Sequence, residues 1–361
     1  MIIKSLELTD YRNYDQLTLS FDSGTNIFYG DNAQGKTNIL EAIYIAATTK
    51  SHKGSRDSEI VRFGKNESHI RTLVEKEGLP TKVDMHLRSN ASKSIAIDGK
   101  RIKKAAELMG LCKVIFFSPE DLNIVKNGPT YRRRFIDMEL CQLDQFYLYN
   151  LNNYNKVLNR RNQVLKDIYF DNSLEDSLSI WDDQLVSYGS KIIERRKKFA
   201  SELEEQIKDV HSKLSGGREE IKIIYEPSVN EDDFEQTLKT SLQRDKKSKM
   251  TNFGPHRDDF NFKVGNIDIR KFGSQGQQRT AALSLKLSEI DMMRKLSGDN
   301  PILLLDDVLS ELDRKRQGFL LESIGDIQTF ITCTGIDDFV NDRFVMNRVF
   351  YVENGNVRQM S

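Results

Sequence analysis

The sequence predicts an α/β domain assembled from both ends of the chain, with a mainly helical domain inserted between them. Three observations predict it. Strand-like segments fill the first 117 residues and return after residue 250. Between them, apolar residues recur at helical spacing through a stretch with only two prolines, Pro129 and Pro227. A glycine-containing turn near the N-terminus separates an apolar strand from a helix, the setting of a phosphate-binding loop. The expected domains are 1–119 with 251–361, and 120–250 as the insertion.

The elements justify this in order. "IIKSLELT" and "LTLSF" alternate as half-buried strands, and "NIFYG" is a short apolar strand ending in glycine. Residues 37–48, rich in Ile, Leu and Ala, read as a helix. In "SIAIDGKRI", Asp98-Gly99 between two short strands predicts a hairpin. "CKVIFFSPED" is an apolar run stopped by Pro119. In the insertion, Ile180, Leu185, Tyr188, Ile192, Phe199, Leu203 and Ile207 recur at steps of three to five. After 250 come a hairpin near 258–270, a helix over 276–296, the buried strand "PILLLDDV", a helix, and the strand "TFITCT". There are no internal repeats.

Composition narrows the function. The 54 Lys and Arg residues cancel the 54 Asp and Glu. A wholly basic nucleic-acid binder is therefore excluded, while a local basic patch is not. Cys112, Cys141 and Cys333 lack metal-ligand spacing and read as small buried residues of a reducing compartment. No apolar run approaches the roughly 20 residues needed to span a bilayer. The early acids of "MIIKSLELTD" argue against a signal peptide. A soluble cytoplasmic protein is expected.

Gly30-Asp31-Asn32-Ala33-Gln34-Gly35-Lys36-Thr37 fits G-x-x-x-x-G-K-[ST] without mismatch. Its glycines let backbone N–H groups converge on phosphate oxygens at a helix N-terminus. Lys36 is expected to reach the β- and γ-phosphates of ATP, and the Thr37 hydroxyl to coordinate Mg²⁺. Gly30, Asn32, Gly35 and Asn38 complete the expected loop. The motif alone leaves kinases, transporters, GTPases and DNA-associated ATPases open.

The C-terminal half narrows that choice. Ile302 to Leu305 deliver Asp306-Asp307 at the end of a buried strand, where α/β sheets bind ligands. Asp306 is expected to hold Mg²⁺ and Asp307 to polarise the attacking water, alternation along the strand separating the two roles. Ser274 is an expected N-cap, and Ser274, Gly276 and Gln277 form an anion-binding cluster at a helix start. A second phosphate-binding surface in a chain that already has a loop of its own points to the γ-phosphate held by another copy.

These segments resemble the ABC-type ATPases of the SMC group, whose heads sandwich two ATP molecules. The resemblance implies a P-loop ATPase head with a mixed sheet. "SQGQ" resembles the group's signature and departs from Ser-Gly-Gly-Gln at Gln275. Ser310-Glu311-Leu312-Asp313 resembles the D-loop, which implicates Ser310 and Asp313 at the nucleotide. Asp307 stands where many members carry glutamate, which implies slow hydrolysis. "DYRNY" resembles a segment whose Arg and Asn, here Arg12 and Asn13, contact nucleotide. Arg56 resembles an arginine that reaches toward nucleotide and senses DNA. Glu120 resembles the residue that links Mg²⁺ to the neighbouring lobe.

Within the group, "FFSPEDLNIVKNGPTYRRRFID", "GPHRDDF" and "GSQGQQRTAALSLKLSE" resemble the RecF family of recombination mediators. This implies a homodimer formed on ATP, bound to double-stranded or gapped DNA. It also implies weak DNA-stimulated ATPase activity and recombinase loading with RecR and RecO. His256 has no second ligand at metal spacing and reads as part of a structural turn near the ATP lobe. Lys53 with Arg56, then Lys100, Arg101, Lys103 and Lys104, rank first as DNA contacts. Arg132, with Arg133 and Arg134, forms a third cluster, and 195–198 ranks last. No aromatic stacking motif stands out, which favours duplex recognition. A kinase, a transporter ATPase subunit and a nucleotide-independent scaffold are the alternatives.

Overall fold

The computed structural model describes residues 1–335 and 346–360. The chain opens with strands β1 (Ile2–Tyr11), β2 (Tyr14–Ser20), β3 (Thr25–Tyr29), β4 (Glu67–Lys76), β5 (Leu79–Arg88), β6 (Ser94–Ile97), β7 (Lys100–Arg101) and β8 (Val114–Phe117). Among them lie helix α1 (Lys36–Thr48) and the short α2 (Asp57–Ile60). Then come α3 (Leu122–Lys126), α4 (Pro129–Leu143), α5 (Gln145–Asp167), α6 (Leu178–Ser215), β9 (Ile221–Glu226) and α7 (Phe234–Ser248). The chain continues with β10 (Asp259–Val264), β11 (Ile267–Asp268), α8 (Ile269–Phe272) and α9 (Gln275–Ser297). It ends with β12 (Ile302–Asp306), α10 (Arg314–Ile324), β13 (Thr329–Cys333), β14 (Met346–Glu353) and β15 (Asn356–Met360).

Two compact units result: Met1–Asp121 with Glu289–Ser361, and Leu122–Ser288. Residues 251–288 thus join the second unit, where the sequence reading assigned 251–361 to the ATPase domain. The cause is strand pairing. β10 runs antiparallel to β9 from Asp259↔Glu226 to Val264↔Ile221, tying the later segment to the insertion.

The first unit holds two six-stranded sheets. One is antiparallel, ordered β2-β1-β4-β5-β6-β7. Along β4, Ser68, Ile70, Thr72 and Val74 point inward in alternation. The β6–β7 turn has positive φ at Asp98 and Gly99, the geometry of the tight hairpin that Asp-Gly predicts. The other sheet, β15-β14-β3-β13-β12-β8, is parallel except at its β15 edge. Ile302–Leu305 are fully buried, as a central parallel strand requires. Helix α1 packs against strands of both sheets, and every residue from Ile39 to Thr48 is buried. The order β3-β13-β12 puts one strand between the end of β3 and the end of β12, and this positions the site.

The second unit is helical with a three-stranded sheet, β11-β10-β9. Leu185, Ile192, Phe199, Leu203 and Ile207 line the buried face of α6, whereas Ile180 is exposed and Tyr188 half-buried. Gly189, Ile193 and Arg196 take inward positions instead. A Cβ on Gly189 would collide with the Phe234 ring. Arg196, 1% exposed, bonds Asp137, Asp258 and the Pro255 carbonyl. Arg161 likewise binds Asp245 and Asp182 from full burial.

Candidate nucleotide-binding site

The loop between β3 and α1 folds as its glycines demand. Gly30, Ala33 and Gly35 all have positive φ. A Cβ on Gly30 would collide with the Val352 carbonyl oxygen, and one on Gly35 with the Asn13 amide and the Tyr14 hydroxyl. These two glycines therefore serve close packing as well as backbone freedom. Asp31, Asn32 and Ala33 form the exposed crest of the loop.

Lys36 opens α1 and folds back across the loop. Its Nζ donates to the Gly30 and Asp31 carbonyls at 2.6 and 2.7 Å. Burial lowers its pKa, opposed by Asp307, Cys333, Asp306 and Asp31. Thr37 Oγ1 donates to Asp306 Oδ1 at 2.8 Å. Thr332 Oγ1, on the intervening strand, donates to the same carboxylate at 2.8 Å and accepts the Asp307 N–H at 3.0 Å. One hydroxyl thus fixes both acids. Burial raises the Asp306 pKa against the opposing bonds from Thr37 and Thr332 and the charge of Lys53.

Asp306 and Asp307 differ for another reason than strand alternation. β12 ends at Asp306, and Asp307 has left-handed backbone with φ 53°. The turn re-aims the second acid, a strained conformation of the kind that clusters at functional sites. Thr37 and Asp306 present hydroxyl and carboxylate oxygens side by side, a donor set suited to a hard divalent cation such as Mg²⁺.

The N-terminal residues brace the loop. Asn13 Nδ2 donates to the Gln34 carbonyl at 3.0 Å, and Asn38 Nδ2 to Asn13 Oδ1 at 2.8 Å. Arg12 is turned to buried Glu41, pairing at 2.8 Å, and to Ser55 and the Glu59 carbonyl. Arg56 precedes α2 with its side chain exposed, and Lys53 is exposed beside it. Glu120 is exposed, while its neighbour Asp121 turns inward and accepts the Ser118 N–H. Ser310 Oγ donates to the Asp307 carbonyl, and Asp313 caps α10 by accepting the Arg316 N–H.

In the second unit, Ser274 and Gln277 form a reciprocal capping box at the start of α9. Ser274 and Gly276 are exposed. Gln277 Nε2 donates to Glu219, which lies 3.5 Å from the His211 Nε2. His211 Nδ1 in turn lies 2.9 Å from Ser284 Oγ.

Two basic readings are corrected. Arg132 is 2% exposed and pairs with Asp259 at 2.7 Å, so it holds α4 to β10 and offers nothing to DNA. Arg196, within the run ranked last, is an internal ion-pair centre. Lys100, Arg101, Lys103 and Lys104 are exposed. The "GPHRDD" turn is structural and its partners lie in the second unit. His256 bonds the Tyr154 hydroxyl and the Thr251 carbonyl, and Asp258 accepts from Arg196, Tyr225 and the Ser228 N–H.

Sequence reasoning missed Thr332, Glu41 and Gln34. Gln34 accepts the Asn354 N–H at 2.6 Å, in the Asn354-Gly355 turn between β14 and β15. That dipeptide was the available signal. Thr332 had none beyond being a polar residue at the end of a buried strand.

A family model described as RecF/RecN/SMC N terminal domain matches residues 2–358. A DNA replication and repair protein RecF from Agathobacter rectalis is 58% identical over 357 residues, 99% of each chain. A protein of the same name from Lachnoclostridium phytofermentans is 57% identical, over 99% of this chain and 100% of that one. A solved structure of the recombination mediator protein RecF with ATP in the RecFOR pathway aligns with TM-score 0.93 and 35% identity, over 99% of this chain and 97% of that one. An Smc head domain from Pyrococcus furiosus shares the fold, with TM-score 0.57 and 16% identity over 99% of this chain and 96% of that one.

Proposed function

The chain belongs to the RecF family of SMC-type ATPases, and from that premise we propose that it is an ATP-driven clamp on DNA. Two copies close when ATP is held between the loop of one and the Ser274–Gln277 segment of the other. Hydrolysis, slow and DNA-stimulated, reopens them. The clamp acts with RecR and RecO at gapped duplexes in recombinational repair, in the cytoplasm.

The observation that carries this reading is the convergence of Thr37, Thr332, Asp306 and Asp307. Lys36, with Gly30, Asn32, Gly35 and Asn38 around it, binds and orients the triphosphate. Thr37 and Asp306, with Glu120 a more distant contributor, would hold Mg²⁺, which would supply charge neutralisation to the triphosphate. Asp307 orients the attacking water as general base. Arg12 supports the site through Glu41, and Asn13 through the loop backbone. Ser310 and Asp313 face the partner's nucleotide, as do Ser274, Gly276 and Gln277. Lys53, Arg56, Lys100, Arg101, Lys103 and Lys104 contact duplex phosphates.

ATP shifts the equilibrium only through its preference for the closed dimer, and that preference lies in the γ-phosphate. Light scattering with ADP, with a non-hydrolysable ATP analogue and without nucleotide tests this, beside a Ser274→Arg variant. Dimers only with the analogue, lost in the variant, are expected. A monomer throughout, with nucleotide bound, overturns the clamp.

A further inference from the structure

Tyr169 and Phe170 lie between α5 and α6 and are 73% and 84% exposed. Their rings meet edge-on at 5.2 Å. The turn that carries them is anchored. Leu165, Ile168 and Leu178 form a small core, with Val164, Leu174 and Leu242 packed around it. Ile168 enters that core and the next two residues do not, although each aromatic ring carries on the order of 150–250 Å² of surface that burial would remove from water. Two adjacent rings left outside an available core mark a contact surface.

The exposed charge at the end of α7, beside the rings, is basic. Helix α7 ends in Arg244-Asp245-Lys246-Lys247-Ser248-Lys249. The single acid of this run, Asp245, is buried and bound to Arg161. Arg244, Lys247 and Lys249 are exposed. Lys249 Nζ sits 4.2 Å from the centre of the Tyr169 ring, so the basic run and the aromatic pair form one surface. An ion pair between Lys246 and Glu175 joins α7 to the turn after the rings. The exposed acids Asp171 and Asp176 follow the rings in sequence, so the cationic contacts come from α7.

Flat π-faces beside cations match a strand whose bases are unpaired. Every base offers a face for stacking, and the phosphates take the lysines. A duplex hides its base faces and offers backbone and groove edges only. We propose that this surface binds single-stranded nucleic acid, bases stacking on Tyr169 and Phe170 and phosphates on Arg244, Lys247 and Lys249. The proposal extends the DNA-binding reading above to a second form of DNA, as a gapped substrate presents. It depends on that reading for its setting and not for its test.

The test uses full-length protein, with fluorescence anisotropy on a dT20 oligomer, an abasic oligomer of the same length, and a 20-base-pair duplex. Tyr169→Ala with Phe170→Ala is expected to weaken dT20 binding by about tenfold or more and to abolish the preference over the abasic strand. Duplex affinity should stay unchanged, as should the melting temperature. Lys247→Ala with Lys249→Ala is expected to lower the salt slope for dT20 by about 1.4. Unchanged dT20 affinity in the aromatic variant overturns the proposal. So does an equal loss for duplex and single strand, or an absence of dT20 binding by the parent protein. In that last case a protein partner becomes the occupant to seek. Failure of duplex binding alone counts against the proposed clamp and leaves this site standing.

Discussion

Two buried charge sites, Asp306 in the first unit and the Arg161 and Arg196 centres in the second, work in opposite ways. In the first, the Thr37 and Thr332 hydroxyls hydrogen-bond buried Asp306, and its ionised form is held at a cost. In the second, Arg161 and Arg196 are buried and ion-paired, Arg161 to Asp182 and Asp245, Arg196 to Asp137 and Asp258. One arrangement leaves a carboxylate available to a cation and the other consumes its charges in architecture. A buried charge is thus a functional candidate when its partners are neutral, and a structural one when they are opposite charges.

Substitutions test that contrast. Arg196→Ala has the largest expected effect on stability. It leaves Asp137 and Asp258 without their counter-charge, at a cost of about 3–5 kcal/mol in denaturant unfolding. A loss near zero would place Arg196 among ordinary surface charges and end the contrast.

Asp306→Asn should do the reverse. Phosphate release is expected to fall by about a hundredfold or more, since several kcal/mol of charge stabilisation go with the cation. Stability should hold or rise. Burial raises the Asp306 pKa, so the fold favours the protonated form. That contribution is present below the unfolded carboxylate pKa and is lost as pH rises through the folded value. At neutral pH the ionised group is a net cost, and the amide removes it. A lowered melting temperature would show that Asp306 is structural.

Acid sharpens the comparison further. Burial lowers the His256 pKa from 6.5 to about 4. A depressed histidine contributes stability above its unfolded pKa, and that contribution is lost as pH falls from 6.5 toward 4. The shift is worth on the order of 3 kcal/mol. Melting temperature against pH should fall through this window, and His256→Asn should flatten the fall. The smallest expected effect is that of Glu219→Ala. Freeing the Gln277 amide should weaken the ATP-driven dimer by about fivefold, near 1 kcal/mol, with little change in melting. An unaltered dimer constant would detach Glu219 from the interface.

The same contrast explains what was legible in the sequence. The phosphate loop, the Asp306 strand and the Asp98-Gly99 hairpin depend on neighbours within a few residues, and short-range rules read them. Thr332 lies 25 residues after Asp307 and 295 after Thr37, and only sheet order brings the three together. Arg132 and Arg196 sit in basic runs that resemble solvated faces, because their partners Asp259, Asp137 and Asp258 are 59 to 127 residues away. The aromatic pair at 169–170 lacked any motif, and its neighbour Lys249 lies 80 residues on. The 251–288 segment was placed with the wrong unit because a strand's pairing partner is not written in its own composition.

Helix α1 is buried from Ile39 to Thr48, packed against strands of both sheets. Its amide hydrogens in this stretch should therefore trade with deuterated solvent slowly, through opening of the packed unit rather than local fraying. The exposed crest immediately before it, Asp31 to Ala33, should label within the first time point. An internal clock is thus built into adjacent residues. Nucleotide binding should slow the crest directly, and α1 should respond only by the amount that ligand raises global stability.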